Sequence, residues 1–136
     1  MGAARVNKIR VLVVDDFDAW RRFVCSALQK NPELQIVGEA SDGLEAVQRA
    51  SELLPDLIVL DLGLPKLNGI EAARQIRKKS SESKILFVSQ ESSADVIQAA
   101  LNAGGSGYVL KTRAEMDLLS AVEAVLAGHQ FVSRVL

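Results

Sequence analysis

The chain has 136 residues, 49% of them hydrophobic, with 16 Lys and Arg against 17 Asp and Glu. That length and apolar content suit one domain with its own core, and a formal net charge of -1 excludes a global field drawing it to nucleic acid or an anionic membrane. The single cysteine, Cys25, excludes an internal disulfide and a cysteine-cluster zinc site, fits a reducing compartment, and reads as a small core residue on a helix.

No apolar run approaches the length of a membrane-spanning helix, and residues 1–8 lack the apolar stretch of a secretory signal. Met1-Gly2 is only weak evidence for myristoylation, because Arg5-Val6 offers no Ser or Thr at the sixth position. The expectation is an unexported cytoplasmic protein without membrane contact.

The first apolar run, Ile9–Val14, is too short for a helix and Val-rich, as a strand buried on both faces would be, and it ends in Asp15-Asp16. Trp20 follows four residues after Asp16 and is expected to pack a helix. A second run, Leu34–Ala40, precedes Asp42 and Glu45, whose spacing predicts a capped helix start. The third run, Leu57–Leu60, leads into Asp61. Asn68 with Glu71 then opens a helix striped by Ile70, Ala73 and Ile76. Residues 77–84 read as a polar, exposed connection.

The fourth run, residues 85–88, ends at Ser89. Ser92 with Asp95 predicts the next helix start, and Gly104-Gly105 its end. The fifth run, residues 108–110, leads directly into Lys111. Thr112 with Glu115 predicts the start of the last helix, striped by Leu118, Val122 and Val125 and closed by Gly128.

Strand and helix thus alternate five times. The α/β fold this predicts is an open parallel sheet with right-handed crossovers and helices on both faces, a (βα)5 three-layer sandwich. In the flavodoxin-like strand order 2-1-3-4-5, ligands bind beyond the carboxyl ends of the strands. The four strands with polar ends are then neighbours, and Asp15, Asp16, Asp61, Ser89 and Lys111 converge on one pocket.

Three crowded carboxylates repel one another and call for a cation. Magnesium suits the set, since it prefers oxygen ligands and is often held by one or two carboxylates plus phosphate oxygens. Lys111 could neutralise a transferred phosphoryl group as a point charge, and Ser89 could donate a hydrogen bond to it. These parts serve phosphoryl transfer to a carboxylate acceptor. Taken singly, each residue has a plainer reading: Asp15-Asp16 a solvated loop, Asp61 and Pro65 a turn, Ser89 a helix cap, Lys111 a surface charge and Tyr108 core packing. Their common position at strand ends on one side of one sheet favours a site.

The segments Val11-Leu-Val-Val-Asp15-Asp16-Phe17, Asp61-Leu-Gly-Leu-Pro65, Ser89 and Gly107-Tyr-Val-Leu-Lys111 resemble, in order and interval, the receiver domain of bacterial two-component response regulators. The resemblance covers nearly the whole chain. Residues 100–111, with Gly128 and Phe131-Val-Ser133, are most similar to receivers of the NarL/FixJ (LuxR-type) subfamily, which usually precede a helix-turn-helix DNA-binding domain. It implies a single receiver domain over residues 1–136, with its core at about residues 8–130, and no DNA-reading module within the chain.

The resemblance further implies that Asp61 is the phosphoacceptor and that Mg2+ is held by Asp16, Asp61 and the backbone carbonyl of Gly63, with Asp15 acting through a water. It casts Ser89 as the switch hydroxyl, Lys111 as the phosphate-binding lysine and Tyr108 as the aromatic whose rotation reports the state of the site. The implied donor is a sensor histidine kinase. The implied output runs through the face of the fourth helix, fifth strand and fifth helix, with homodimerisation on phosphorylation. No catalysis is expected beyond self-phosphorylation and autodephosphorylation. Some positions depart from the common pattern: serine replaces threonine at 89, Gln90 is bulky, Gly63 leaves one flank bare, and Glu91 lies near the mouth. Two other readings are a haloacid dehalogenase-like phosphatase built on Asp16 and Asp18, and a pseudo-receiver that docks without phosphorylation.

Overall fold

The computed structural model describes residues 8–134; the amino-terminal residues considered for secretory and myristoylation signals lie largely outside that range. The elements run β1 (Ile9–Val14), α1 (Asp18–Leu28), β2 (Leu34–Ala40), α2 (Gly43–Leu53), β3 (Leu57–Leu60), α3 (Gly69–Lys79), β4 (Lys84–Ser89), α4 (Ala94–Asn102), β5 (Gly107–Leu110), α5 (Ala114–Leu126) and β6 (Phe131–Val132). All pairs are parallel, in the order β2-β1-β3-β4-β5-β6. The expected order holds, and β6 is an addition at the outer edge of β5.

Alternation along the strands sorts the core into two layers. Leu12, Val14, Ile58, Leu60 and Phe87 face one side, where they pack against Ala46 of α2, Ile76 of α3 and Ile97 of α4. Val11, Val13, Val59, Leu86 and Val88 face the other, against Val24 and Leu28 of α1 and Leu118, Val122 and Val125 of α5. Each fully buried Val, Leu or Ile contributes roughly 1.5–3 kcal/mol over its exposed state, so a strand sandwiched between both layers stays fixed in register.

Helix boundaries follow the expected chemistry in part. Asp42 accepts a hydrogen bond from the Glu45 N–H at 2.7 Å, and Asn68 accepts one from the Glu71 N–H at 2.9 Å. Gly104 and Gly128 take positive φ just beyond α4 and α5. The other two starts differ from expectation. The residue before α4 is Ser93, not Ser92, and its side chain makes no capping bond. A 3-10 turn over Lys111–Arg113 takes Thr112 into its middle, so Arg113 precedes α5 and the helix begins one residue later.

Residues 77–84 are also not a simple exposed connection. Ser80 and Ser83 are buried and their hydroxyls lie 2.6 Å apart, while Ser83 Oγ donates to the Pro55 carbonyl. Arg77 donates to the carbonyls of Ser81 and Ser83. The hydroxyls of Ser80 and Ser83 satisfy each other and the Pro55 carbonyl, which lets these two polar side chains enter the interior.

Candidate functional site

β1 and β3 are hydrogen-bonded neighbours, so their carboxyl ends deliver Asp15, Asp16 and Asp61 to one place. Carboxylate oxygens of the three lie within 4.8 Å of one another. Lys111, directly after β5, reaches back across β4 to place its ammonium 3.0 Å from Asp15 Oδ2 and 3.5 Å from Asp61 Oδ2. These residues line a cleft of about 300 Å³ with Phe17, Gly63, Ser89, Gln90 and Glu91. Every acid, hydroxyl and amine expected at the pocket is there.

Asp15, Asp61, Ser89 and Tyr108 are each held by backbone groups. Asp15 Oδ1 accepts from the Phe17 N–H at 2.9 Å, and Asp61 Oδ1 from the Leu62 N–H at 2.8 Å. Ser89 Oγ accepts from the Glu91 N–H at 3.2 Å, and the hydroxyl of fully buried Tyr108 donates to the Glu91 carbonyl at 2.8 Å. Asp16 is the exposed member of the acid set.

Burial raises the pKa of Asp61 above the usual carboxylate range, and the Asp15 carboxylate pushes it further; the Lys111 ammonium and the Leu62 N–H oppose them. The donor set fits a hard divalent ion. Lys111 offsets one of three carboxylate charges, which leaves about the charge that one such ion would neutralise, among oxygen donors only. At Gly63 a Cβ would meet nothing within 4 Å, so that flank is open.

Sequence reasoning missed three supports. Arg21 donates to the Asp15 carbonyl at 2.8 Å while pairing with Asp18 and Glu39, and so ties the end of β1 to α1. Gly69 lies against the Asp61 carbonyl, where a Cβ would collide with that oxygen, and its N–H donates to the Leu62 carbonyl at 2.7 Å. Trp20 presents its ring to the Lys111 ammonium at 5.1 Å. Trp20 stands four residues after Asp16, a spacing that points to the site although helix packing was the preferred reading; Arg21 stands three residues after its partner Asp18; nothing local signalled Gly69. Cys25 is half-buried and burial pushes its thiol up to about 11, so it stays protonated on its helix.

The second acid of the phosphatase reading does not join the cleft. Asp18 begins α1, is largely exposed, and pairs with Arg21 at 2.7 Å. That reading is not favoured.

An open parallel sheet in this order, with three carboxylates and a lysine at the carboxyl ends of its strands, defines a flavodoxin-like α/β domain with an acidic pocket. Residues 11–123 match the response regulator receiver domain, and the chain belongs to that family. It is 37% identical over 121 residues to the transcriptional regulatory protein LiaR of Bacillus subtilis, covering 89% of this chain and 57% of LiaR. It is 36% identical over 126 residues to the nitrate/nitrite response regulator protein NarL of Escherichia coli, covering 93% of this chain and 58% of NarL. The chain therefore spans a little over half the length of these relatives. A LuxR-family two-component response regulator from Aurantimonas sp. SI85-9A1 superposes with a TM-score of 0.87 at 35% identity, over 91% of this chain and 89% of that one. The receiver is of the NarL/LuxR type.

Proposed function

We propose that Asp61 accepts a phosphoryl group from a sensor histidine kinase and that the resulting acyl phosphate switches the domain's surface. The observation that carries this is the meeting of Asp15, Asp16, Asp61 and Lys111 in one cleft. Asp15, Asp16, Asp61 and the Gly63 carbonyl would hold Mg2+, which when bound supplies positive charge to the phosphoryl oxygens. An Asp61 oxygen attacks phosphorus; the new O–P bond forms as the P–N bond of the phosphohistidine breaks, and its electron pair returns to the imidazole, which takes up a proton.

The product adds about 1.5–2 negative charges at Asp61. Lys111 is already at that carboxylate, and Ser89 lines the same cleft, so both can turn to the new oxygens. Movement of Ser89 shifts the Glu91 backbone that holds the Tyr108 hydroxyl. That chain of contacts runs from the acid to the α4–β5–α5 face, where we place output and phosphorylation-dependent homodimerisation. The remaining proposals are a receiver unit over residues 1–136, acting in the cytoplasm as the amino-terminal part of a transcriptional regulator, with DNA binding outside this chain and no chemistry beyond its own phosphorylation and dephosphorylation.

Incubation with acetyl phosphate and magnesium tests the reading. Intact mass should show one added phosphoryl group, lost in Asp61→Asn and on chelation. A wild-type chain that gains no mass, yet still docks its partner, would favour the pseudo-receiver.

A further inference from the structure

Trp20 is the only tryptophan in the chain and sits in the first turn of α1. Its ring stacks at a tilt on Phe23, with centroids 4.8 Å apart. Its Nε1 is buried with no hydrogen-bond partner among the described residues. Leucine or phenylalanine could fill this space without burying an unpaired N–H, which is unfavourable. What the indole adds is a broad π face under the Lys111 ammonium, 5.1 Å from the ring centroid. That is cation–π geometry, and Lys111 is only 13% exposed, where such attraction is strengthened by the loss of water.

The same ammonium is 3.0 Å from Asp15 and 3.5 Å from Asp61. A divalent cation arriving at those carboxylates competes with it. A lysine that lost both partners would swing to water on its flexible stem. The indole face attracts it whatever the carboxylates are doing. Trp20 does not line the cleft, so its influence on a ligand there passes through Lys111.

We infer that Trp20 is a positioning residue for Lys111, keeping its ammonium inside the cleft when cation and phosphoryl group occupy the acids. The inference rests on the phosphoacceptor reading of Asp61 and assigns a task to a residue outside the acid cluster.

The test is the rate of phosphoryl uptake from acetyl phosphate at saturating magnesium, followed by intact mass in the full chain. Trp20→Leu should slow it by roughly twofold to thirtyfold, the span of cation–π contacts between exposed and desolvated settings. Trp20→Phe, which keeps a π face, should lose less. In a Lys111→Met background, Trp20→Leu should cause no further slowing, because the pair then has nothing left to couple. A merely structural tryptophan would slow both backgrounds by the same factor, and that result overturns the inference, as does a Phe variant no faster than Leu or an unchanged Leu variant. A wild-type chain that takes up no phosphoryl group overturns the phosphoacceptor reading and this one together, whereas uptake indifferent to Trp20 overturns only this one.

Discussion

The Tyr108 hydroxyl donates to the Glu91 carbonyl at 2.8 Å, and so joins β5 to the loop that leaves Ser89. Burial raises the phenol's pKa, so it remains a protonated donor throughout the neutral range. Tyr108→Phe should cost about 0.5–1.5 kcal/mol and speed amide exchange at Gln90 and Glu91. Urea unfolding and hydrogen exchange check the two effects; an unchanged exchange rate would argue that Tyr108 does not hold this loop.

The acid cleft is a stability liability without a cation. Asp61 has a raised pKa in the folded state, so the fold binds its proton more tightly than the unfolded chain does. Its contribution to stability is complete below the ordinary carboxylate pKa and is lost as pH rises through the raised value. Asp61→Asn should therefore melt higher than wild type in chelator at neutral pH, with the gap closing on acidification. Magnesium at a hundred times its dissociation constant should stabilise wild type by about 2.7 kcal/mol and the Asn variant by less. Thermal melts with and without magnesium decide the point.

Ser83 is the structural counterpart at the opposite, amino-terminal end of the strands, just before β4. Its hydroxyl is buried, lies 2.6 Å from Ser80 Oγ, and donates to the Pro55 carbonyl. Ser83→Ala leaves that carbonyl without its donor and should cost about 1–3 kcal/mol. The expected signature is a lower urea midpoint at unchanged slope, with phosphoryl uptake retained.

Two glycines near Asp61 should answer differently to the same methyl group. At Gly69 a Cβ runs into the Asp61 carbonyl and lies 2.7 Å from the Leu62 Cα, both backbone atoms that can yield only by moving the loop. Gly69→Ala should lose about 1–3 kcal/mol and slow phosphoryl uptake. Gly63→Ala enters open space and should stay within about 0.5 kcal/mol of wild type. Equal losses at both positions would show that backbone freedom, not contact, governs this loop.

What was legible in the sequence was the part that rests on local pattern. Short runs rich in Val, Ile and Leu mark the strands, and the rule that ligands collect at their carboxyl ends brings Asp15, Asp16, Asp61, Ser89 and Lys111 together. The cap residues Asp42 and Asn68 were readable because polar side chain and acid stood at the spacing that their bonds require. Ser92 and Thr112 shared the pattern, but neighbouring residues took the boundary, since a cap motif does not know where the preceding strand will release the chain. The burial of Ser80 and Ser83 depends on Pro55, far away in sequence. Trp20 beneath Lys111 is likewise a tertiary fact between residues far apart in sequence, and Gly69 against Asp61, though only eight residues on, depends on how the intervening loop folds back.

The two residues of β6 have a consequence for how the molecule behaves in company. Gly107 and Tyr108 pair with Phe131 and Val132, and Ser133 is pinned behind them, accepting from the Leu110 N–H and donating to Asp117. Without this cover, β5 would offer a bare row of amides and carbonyls beside a wholly apolar strand, a template on which a second molecule could lay its own backbone. Residues 131–133 thus guard the backbone edge of β5 against strand-to-strand pairing with another molecule, and they are fastened to the strand that leads into Lys111.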